Sequence, residues 1–394
     1  MKILIANKFY YRRGGDCIYA MNLEKLLKSH GHEVAVFAMQ HPDNLSTPWS
    51  KYFPSEVAFR PGKGLLKAIF RPFGTQEVRT CFNKIMDDFH PDIVHLNNIH
   101  SQLSPVIGQI AHERGAKVIW TLHDYKLLCP RYDCLLHDNE PCDACYTDKR
   151  QCLRHKCLKG SLLASYIGYK EARKWTREEL SSFTDKFICP SQFMADNMIK
   201  GGFAEHKIYP LCNFIDVSQC QRSDFSKKNY FCYFGRLSHE KGIKTLIEAA
   251  NELKYPLMVI GDGPLRQELE SQSESHITFV GRKDWDELKT LVGQARFSVI
   301  PSEWYENNPL SVIESQCLGT PVLGSRIGGI PELIETGVNG MSFAPKSTLD
   351  LKEKIQMMWA MRFNDKEIAQ LAQNHYNSEH YYDNLLHIYQ QNHL

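Results

Sequence analysis

"YFCYFGRLSHEKGIKTLIEAA", residues 230–250, runs from a strand-length apolar stretch through a short glycine-flanked loop into the start of an amphipathic helix. The strand is expected over 230–235, ending at Gly235, and the helix opens at "GIKTLIEAA". A strand that turns directly into a helix is the repeating unit of a parallel sheet covered by helices. The loop between them carries Arg236 and Lys241. Two cations beside a helix N-terminus make a strong anion site, because the backbone N–H groups and the helix dipole act in the same direction. A solvated basic loop is the plainer reading of two charges. The coincidence of strand end, glycines and helix start favours the anion site.

The same unit recurs on both sides of this stretch. Strand-like runs are KILIA (2–6), EVAVFA (33–38), DIVHL (92–96), KVIWTL (117–122) and KFICPS (186–191) in the first half. In the second half they are YFCYFG (230–235), LMVIGDG (257–263), ITFVG (277–281), FSVIP (297–301) and PVLGS (321–325). Helix-length amphipathic stretches such as DCIYAMNLEKLLKSHG and WDELKTLVGQA lie between them. The expected fold is therefore α/β, with two doubly wound domains, each built on a parallel sheet. The polar, turn-rich segment 213–229 marks the boundary. The first domain is expected over 1–212 and the second over 213–375. The remaining residues, 376–394, hold an aromatic helix (HYYDNLLHIYQQ) expected to return to the first domain. Such sheets bind ligands outside the carboxyl ends of their strands, so a cleft between the halves is the natural site.

Composition agrees with a globular protein of this size. The chain has 394 residues, 43% hydrophobic and 23% charged, more than one core normally covers. A net charge of +2 gives no case for nucleic acid as the main partner. No apolar run approaches the roughly 20 residues of a membrane span. The apolar core of MKILIANKFYYRR is too short for a signal peptide, so a cytoplasmic protein is expected.

A second anion cradle is expected at "SEWYENNPLSVIES", 302–315. Pro309 suits the first helical position, with Asn307 and Asn308 as capping candidates. The N–H groups of Leu310 and Ser311 are then free. Glu306, before the helix, could accept hydrogen bonds from sugar hydroxyls, and Glu314, further in, could accept both hydroxyls of a ribose. The plainer reading leaves Glu314 solvated while Leu310, Ile313, Cys317 and Leu318 pack the core; it does not explain Glu306 in a YENNP turn. Near the N-terminus, Gly14 and Gly15 follow the first strand and precede a helix, allowing close backbone approach. The G-x-G-x-x-G dinucleotide fingerprint is missing there. TLHD places His123 and Asp124 at a strand end, where His123 could bond a sugar hydroxyl or serve the loop structurally.

Together these residues resemble family 4 of the retaining glycosyltransferases, whose GT-B fold has two facing Rossmann-like domains. The family's E-x7-E pattern resembles Glu306 to Glu314, and its G-R-L-x-x-x-K-G element is GRLSHEKG here. VIGDGP (259–264), VGR (280–282), GTPVLGS (319–325) and GGIPELI (328–334) follow in the expected order. The Gly-Gly loop, TLHD, CPSQFMADNM (189–198) and NFID (213–216) fit more loosely. The resemblance implies that Arg236 and Lys241 hold a donor diphosphate and Glu314 the nucleotide ribose. Glu306 and the backbone after it, from Asn307 to Leu310, would hold the donor sugar. Gly15 would lie near the diphosphate, His123 near the sugar and Arg282 beside the base. The implied reaction is transfer of a sugar, with retention, from a UDP- or GDP-sugar to a glycan or lipid-linked acceptor in cell-surface polysaccharide synthesis, with cations in place of a catalytic metal. Two glutamates could also suggest a glycosidase, but a hydrolase has no use for a diphosphate cradle. A nucleotide-sugar epimerase of the same fold and a non-catalytic nucleotide-sugar module are the rivals.

Two features fall outside that pattern. The stretch 129–157 holds Cys129, Cys134, Cys142, Cys145, Cys152 and Cys157, with His137 and His155 among them. The C-x-x-C of Cys142 and Cys145 and the other gaps suit a tetrahedral structural zinc; a disulfide set or buried free thiols are the alternatives. Residues 59–74 mix Arg60, Lys63, Lys67 and Arg71 with Leu65, Leu66, Ile69, Phe70 and Phe73, and 149–177 adds nine Lys and Arg against one acid, Glu171. That composition suits either a peripheral contact with an anionic membrane or a basic face packed on its own domain.

Overall fold

The computed structural model describes residues 1–58, 64–137 and 140–391. Its first six strands are β1 (Lys2–Ala6), β2 (Glu33–Phe37), β3 (Ile93–Leu96), β4 (Lys117–Thr121), β5 (Lys186–Cys189) and β6 (Ile208–Pro210). They form one sheet in the order β2-β1-β3-β4-β5-β6, parallel at every pairing. The next six are β7 (Phe231–Phe234), β8 (Leu257–Ile260), β9 (Ile277–Gly281), β10 (Ser298–Ile300), β11 (Val322–Ser325) and β12 (Gly340–Phe343). These form a second parallel sheet in the order β12-β11-β10-β7-β8-β9. The expected α/β class with two parallel sheets is what the chain adopts. Two short strands, β6 and β12, were not anticipated.

The sequences of the strands explain their burial. Parallel strands need crossover connections, so helices cover both faces and the strands read as continuous apolar runs. Ile3, Leu4, Ile5 and Ala6 of β1 are all buried, as are all four residues of β7. In the second unit Phe231 stacks on Phe297, ring centroids 5.1 Å apart. The helix Ile243–Leu253 buries Ile243, Leu246, Ile247, Ala249 and Ala250, a stripe at helical spacing laid on this sheet. In the first unit Trp120 is fully buried in β4, and its indole N–H donates to the Asn97 carbonyl at 3.0 Å.

The contacts divide into two units, with the division between Cys212 and Asn213. Glu140 and Pro141 group with the second unit, which runs on to His380, and Tyr381 onward belongs to the first. The last helix, Ser378–Gln390, buries Tyr381, Leu385, Ile388 and Tyr389. Tyr381 bonds the hydroxyl of Tyr19, Tyr382 meets His32 Nε2 at 2.8 Å, and Tyr389 meets His95 Nδ1 at 2.5 Å.

Strand order locates the crevices. β1 pairs β2 on one side and β3 on the other, so the loops after β1 and β3 leave in opposite directions. In the second sheet the same reversal falls between β7 and β10. Ligands of open parallel sheets bind at such reversals, outside the carboxyl ends of the strands.

Candidate functional site

The loop after β7 supplies Gly235, Arg236 and a 3₁₀ turn, His239–Lys241, before the helix begins at Ile243. Gly242 joins turn to helix at φ +65°, and a Cβ there would stand 1.8 Å from the Pro301 carbonyl oxygen. Only glycine lets the loops after β7 and β10 approach so closely. That approach brings Lys241 to Glu306. Lys241 Nζ lies 2.6 Å from Glu306 Oε1, which also accepts from the Ser302 hydroxyl at 2.7 Å. The ammonium stands 5.2 Å from the centroid of the Trp304 ring. The Glu306 carbonyl accepts from Gly329 N–H at 2.8 Å, which fixes the residue from its backbone as well.

Glu306 is 6% exposed. Burial pushes its carboxyl up, but the Lys241 ammonium, with its hydrogen bond and that of Ser302, outweighs burial and holds the group below its ordinary value. It is a carboxylate at neutral pH. Arg236, by contrast, is exposed and makes no ion pair among the described residues. The crevice thus holds one neutralised pair and one unspent guanidinium.

The remaining candidates of this unit are placed as follows. The helix after the YENNP turn is Leu310–Cys317, so Leu310 rather than Pro309 is its first residue. Pro309 stands at the N-cap, where no side chain caps the helix. Neither asparagine is the N-cap residue. Asn308 is buried, and its Oδ1 and carbonyl accept from the backbone and side-chain amides of Asn213, at 3.1 Å each. This pairing explains the NFID segment as a structural partner of the turn. Asn307 is half-buried. The N–H groups of Leu310 and Ser311 lie in the first turn, ahead of any intrahelical carbonyl. Glu314 is half-buried in the second turn; burial raises the thiol of Cys220, and the Glu314 charge adds to it. Arg282 is exposed immediately after β9, at the same sheet edge.

In the first unit, Gly15 is the exposed first residue of the helix Gly15–Ser29, with Gly14 extended before it. His123 lies two residues past β4, half-buried, with Nε2 3.0 Å from Asn97 Oδ1 and its ring against the edge of Tyr19 at 4.8 Å. Burial lowers the imidazole to about 4, the Asp16 charge opposing and the Lys8 charge assisting. Asp16 Oδ2 lies 3.5 Å from Lys8 Nζ. Burial raises the Asp124 carboxyl, which accepts from the Lys126 N–H at 3.0 Å. Lys8, Asp16 and Asn97 were missed from sequence. Their signal was position: Lys8 and Asn97 follow β1 and β3, the strands flanking the reversal, and Asp16 opens the helix after the glycines.

The cysteine-rich stretch brings thiols together. Cys129 is within hydrogen-bonding reach of Cys134 and Cys145, and Cys152 of Cys157. Cys142 is half-buried and the other five are buried; all six are free thiols. Disulfides are therefore not what this stretch forms here. Among the described residues, no three of the His, Cys, Asp and Glu side chains are arranged to hold a metal ion.

The basic segment follows the second of its two expected readings at Lys67 and Arg71. Arg60 and Lys63 lie outside the described residues. The helix is only Leu65–Phe70, and Arg71, just after it, is fully buried. It donates to the Ser55 carbonyl at 2.9 Å and to Glu77 at 3.1 Å, and Lys67 pairs with the same Glu77 at 2.8 Å. Both cations hold their own domain together. Exposed apolar side chains do remain: Leu66 and Phe70 here, and Leu162, Leu163 and Tyr166 on the helix Leu162–Lys174. Glu171, the one acid of 149–177, turns inward to Lys126 at 2.9 Å. No helix among the described residues is long and apolar enough to cross a membrane.

Comparison with known proteins extends this picture. The family description "Glycosyltransferase Family 4" matches residues 13–219, more than half of the chain, and "Glycosyl transferases group 1" matches 219–377. A protein from the cps region of Klebsiella pneumoniae is 24% identical over 84% of this chain and 87% of its own length. An uncharacterized glycosyltransferase of Methanocaldococcus jannaschii is 28% identical over 44% of this chain. The chain spans about half the length of that relative, 49%, and 32% of the mycobacterial glycogen synthases it also matches. Among solved structures, sucrose-phosphate synthase from Thermosynechococcus elongatus superposes with a TM-score of 0.72 at 18% identity, over 99% of this chain and 98% of its own. Anabaena HepE, solved with UDP, gives 0.65 at 17% identity, over 98% and 99%. These likenesses show the GT-B fold, and with two family descriptions dividing the chain at residue 219, the chain belongs to glycosyltransferase family 4.

Proposed function

We propose that this protein is a retaining glycosyltransferase that moves a sugar from a UDP- or GDP-sugar to a glycan or lipid-linked acceptor in cell-surface polysaccharide synthesis. The observation that carries the reading is the pairing of Lys241 with Glu306 beside the unpaired Arg236, at the strand-order reversal of the second sheet. Breaking a glycosidic bond to a diphosphate leaves negative charge on the leaving group. Arg236, Lys241 and the amides of Leu310 and Ser311 would meet that charge without first being reorganised, each worth up to about 2.7–4 kcal/mol in comparable donor sites. These cations do the work that a divalent ion does in other transferases. Glu306 would accept from the sugar hydroxyls while steering Lys241, and Glu314 would take the ribose. Arg282 would lie beside the base, and Gly15 and His123 on the first unit would meet diphosphate and sugar. The acceptor attacks from the leaving-group side, and the departing phosphate takes its proton.

Relatives support the substrate class. HepE has been solved with UDP and glucose, one relative is a D-rhamnosyltransferase of Pseudomonas aeruginosa, and another is encoded in the cps region of Klebsiella pneumoniae. A lipid-linked acceptor fits a cytoplasmic protein resting on the membrane, and the exposed Leu66, Phe70, Leu162, Leu163 and Tyr166 would rest on it. The cysteine stretch would hold a structural zinc through thiols drawn from Cys129, Cys134, Cys142, Cys145, Cys152 and Cys157, which would have to close up on binding. Thermal unfolding with UDP, GDP and their sugars tests the donor, since a native-state ligand raises the midpoint. Incubation with a labelled sugar nucleotide alone tests the reaction: conversion of the sugar without acceptor would mark an epimerase instead.

A further inference from the structure

Asn97 and His123 follow neighbouring parallel strands, β3 and β4, on the first unit. The backbone of Asn97 is held from three directions. Its N–H donates to the Ala6 carbonyl at 2.9 Å, and its carbonyl accepts from the Trp120 indole at 3.0 Å and the Ile99 N–H at 3.1 Å. Its side-chain NH₂ is turned to the His95 carbonyl at 3.5 Å. Reversing the amide would set oxygen against oxygen at that contact. The amide oxygen therefore faces His123, 3.0 Å from Nε2. An amide oxygen only accepts, so Nε2 must carry the hydrogen.

We propose that Asn97 is a positioning residue that locks His123 in the Nε2–H tautomer, so that Nδ1 offers a lone pair to a hydroxyl of the bound carbohydrate. This deepens the glycosyltransfer reading and rests on it for the identity of the ligand. Tyr19, itself buried and bonded to Thr121 at 3.3 Å and to Tyr381, holds the ring from the other side. The charged and titratable groups around the imidazole are Lys8 after β1, Asp16 on the helix Gly15–Ser29, and His95 on β3. Burial and Lys8 keep the ring neutral at physiological pH against the pull of Asp16. An imidazolium would have no lone pair to offer, so neutrality and tautomer are both needed. Among the described residues, no hydrogen bond is made to Nδ1. His123 is half-buried, so the ring edge can be reached.

Two-bond ¹H–¹⁵N spectra of the full chain labelled with [¹⁵N]histidine test this directly. The wild type should show a neutral His123 with the Nε2–H pattern from pH 8 to pH 6. Asn97→Leu should mix the tautomers, while Asn97→Asp, which keeps an acceptor, should retain Nε2–H. With a turned-over sugar nucleotide, N97L should lower kcat at least ten-fold with donor KM within two-fold, and N97D should recover most of the loss at pH 8 and less towards pH 6, where its carboxylate favours the imidazolium. An Nδ1–H pattern in the wild type, or an unchanged pattern in N97L, overturns the proposal. Absence of any turnover in the wild type overturns the glycosyltransfer reading instead, and the tautomer result then still decides the role of Asn97.

Discussion

Lys241 Nζ is 2.6 Å from Glu306 Oε1, a side-chain contact that joins the loop after β7 to the loop after β10. The two residues are not equally placed. The Glu306 side chain is 8% exposed and the Lys241 side chain 27%. Removing the cation leaves a buried carboxylate with Ser302 as its remaining strong partner, whereas removing Arg236 leaves nothing unpaired.

Stability and affinity should therefore separate between the two cations. Arg236→Ala should unfold within about 0.5 kcal/mol of wild type, as exposed substitutions do, yet lose most of the midpoint shift produced by UDP or GDP. Lys241→Met should destabilise by about 2 kcal/mol, below the 3–5 kcal/mol of a fully buried broken pair because this lysine is partly solvated. Urea unfolding with and without nucleotide measures both. Equal nucleotide shifts in R236A and wild type would remove Arg236 from the donor site.

The carboxylate also sets a pH dependence. The Glu306 group is held below its ordinary value in the folded chain. Its stabilisation is thus present above the unfolded pKa, about 4.3, and is lost as pH falls through the lower folded value. Glu306→Gln should be less stable than wild type at pH 7, the gap closing towards pH 3. A constant gap across that range would contradict the ion pair. Glu306→Ala should in addition abolish transfer while nucleotide binding remains measurable.

Gly242 is the structural hinge of the same contact. Alanine there would combine a left-handed backbone at φ +65° with a Cβ 1.8 Å from the Pro301 carbonyl oxygen. Gly242→Ala should cost more than about 2 kcal/mol, beyond the usual 1 kcal/mol of a left-handed non-glycine residue. It should also weaken nucleotide binding, because the two loops must part. A folded G242A with wild-type midpoint and affinity would show that the approach is not needed.

This pair also shows how far the chain could be read without coordinates. Ten of the strands announced themselves as apolar runs, because parallel strands are buried on both faces. The two that did not are β6, whose IYP ends on a proline, and β12, whose GMSF opens on a glycine, so both read as turn-like. Arg236, Lys241, Glu306 and Glu314 were legible as residues at strand ends and helix starts. The direct Lys241–Glu306 pairing was not, because the two lie 65 positions apart and meet only through the packing of Gly242 on Pro301. Asn308 was misread as a cap because its partner, Asn213, is equally remote. Sequence left Arg71 open between a membrane contact and a face packed on its own domain, because its acceptors, Ser55 and Glu77, lie on other segments. Local chemistry is written in local sequence; pairings across the sheet edge are not.

His95 carries a different pH signature. It is fully buried between Tyr389 and Thr121 Oγ1, the latter at 2.8 Å, and burial lowers its imidazole to about 3. The unfolded chain binds a proton below about pH 6.5 that the folded chain refuses. The folded pKa is depressed, so the contribution is whole above 6.5 and is lost as pH falls towards 3. Relative to His95→Gln, the wild type should lose up to about 2.7 kcal/mol between pH 6.5 and 4.5. Parallel slopes for the two proteins in urea unfolding would show that His95 is protonated in place.

The cysteines give the last test, and it bears on what holds the 129–157 stretch in shape. Its helix among the described residues is four residues, Gln151–Arg154, and one small apolar cluster in it is Cys145, Cys152 and Cys157 against Leu136 and Leu158. So small a core normally needs a staple. A zinc held by these thiolates, as proposed, would supply one. Protein purified without chelator should carry one zinc per chain, and Cys129→Ser or Cys145→Ser should lose it with a lowered unfolding midpoint. Of the thirteen cysteines, Cys81, Cys142 and Cys212 are partly exposed and the rest buried. The native chain should therefore present at most three fast thiols to an aromatic disulfide reagent, and the unfolded, chelated chain all thirteen. Thirteen thiols released by denaturant alone, from protein that carries no metal, would end the zinc proposal and leave hydrophobic packing of neutral thiols as the staple.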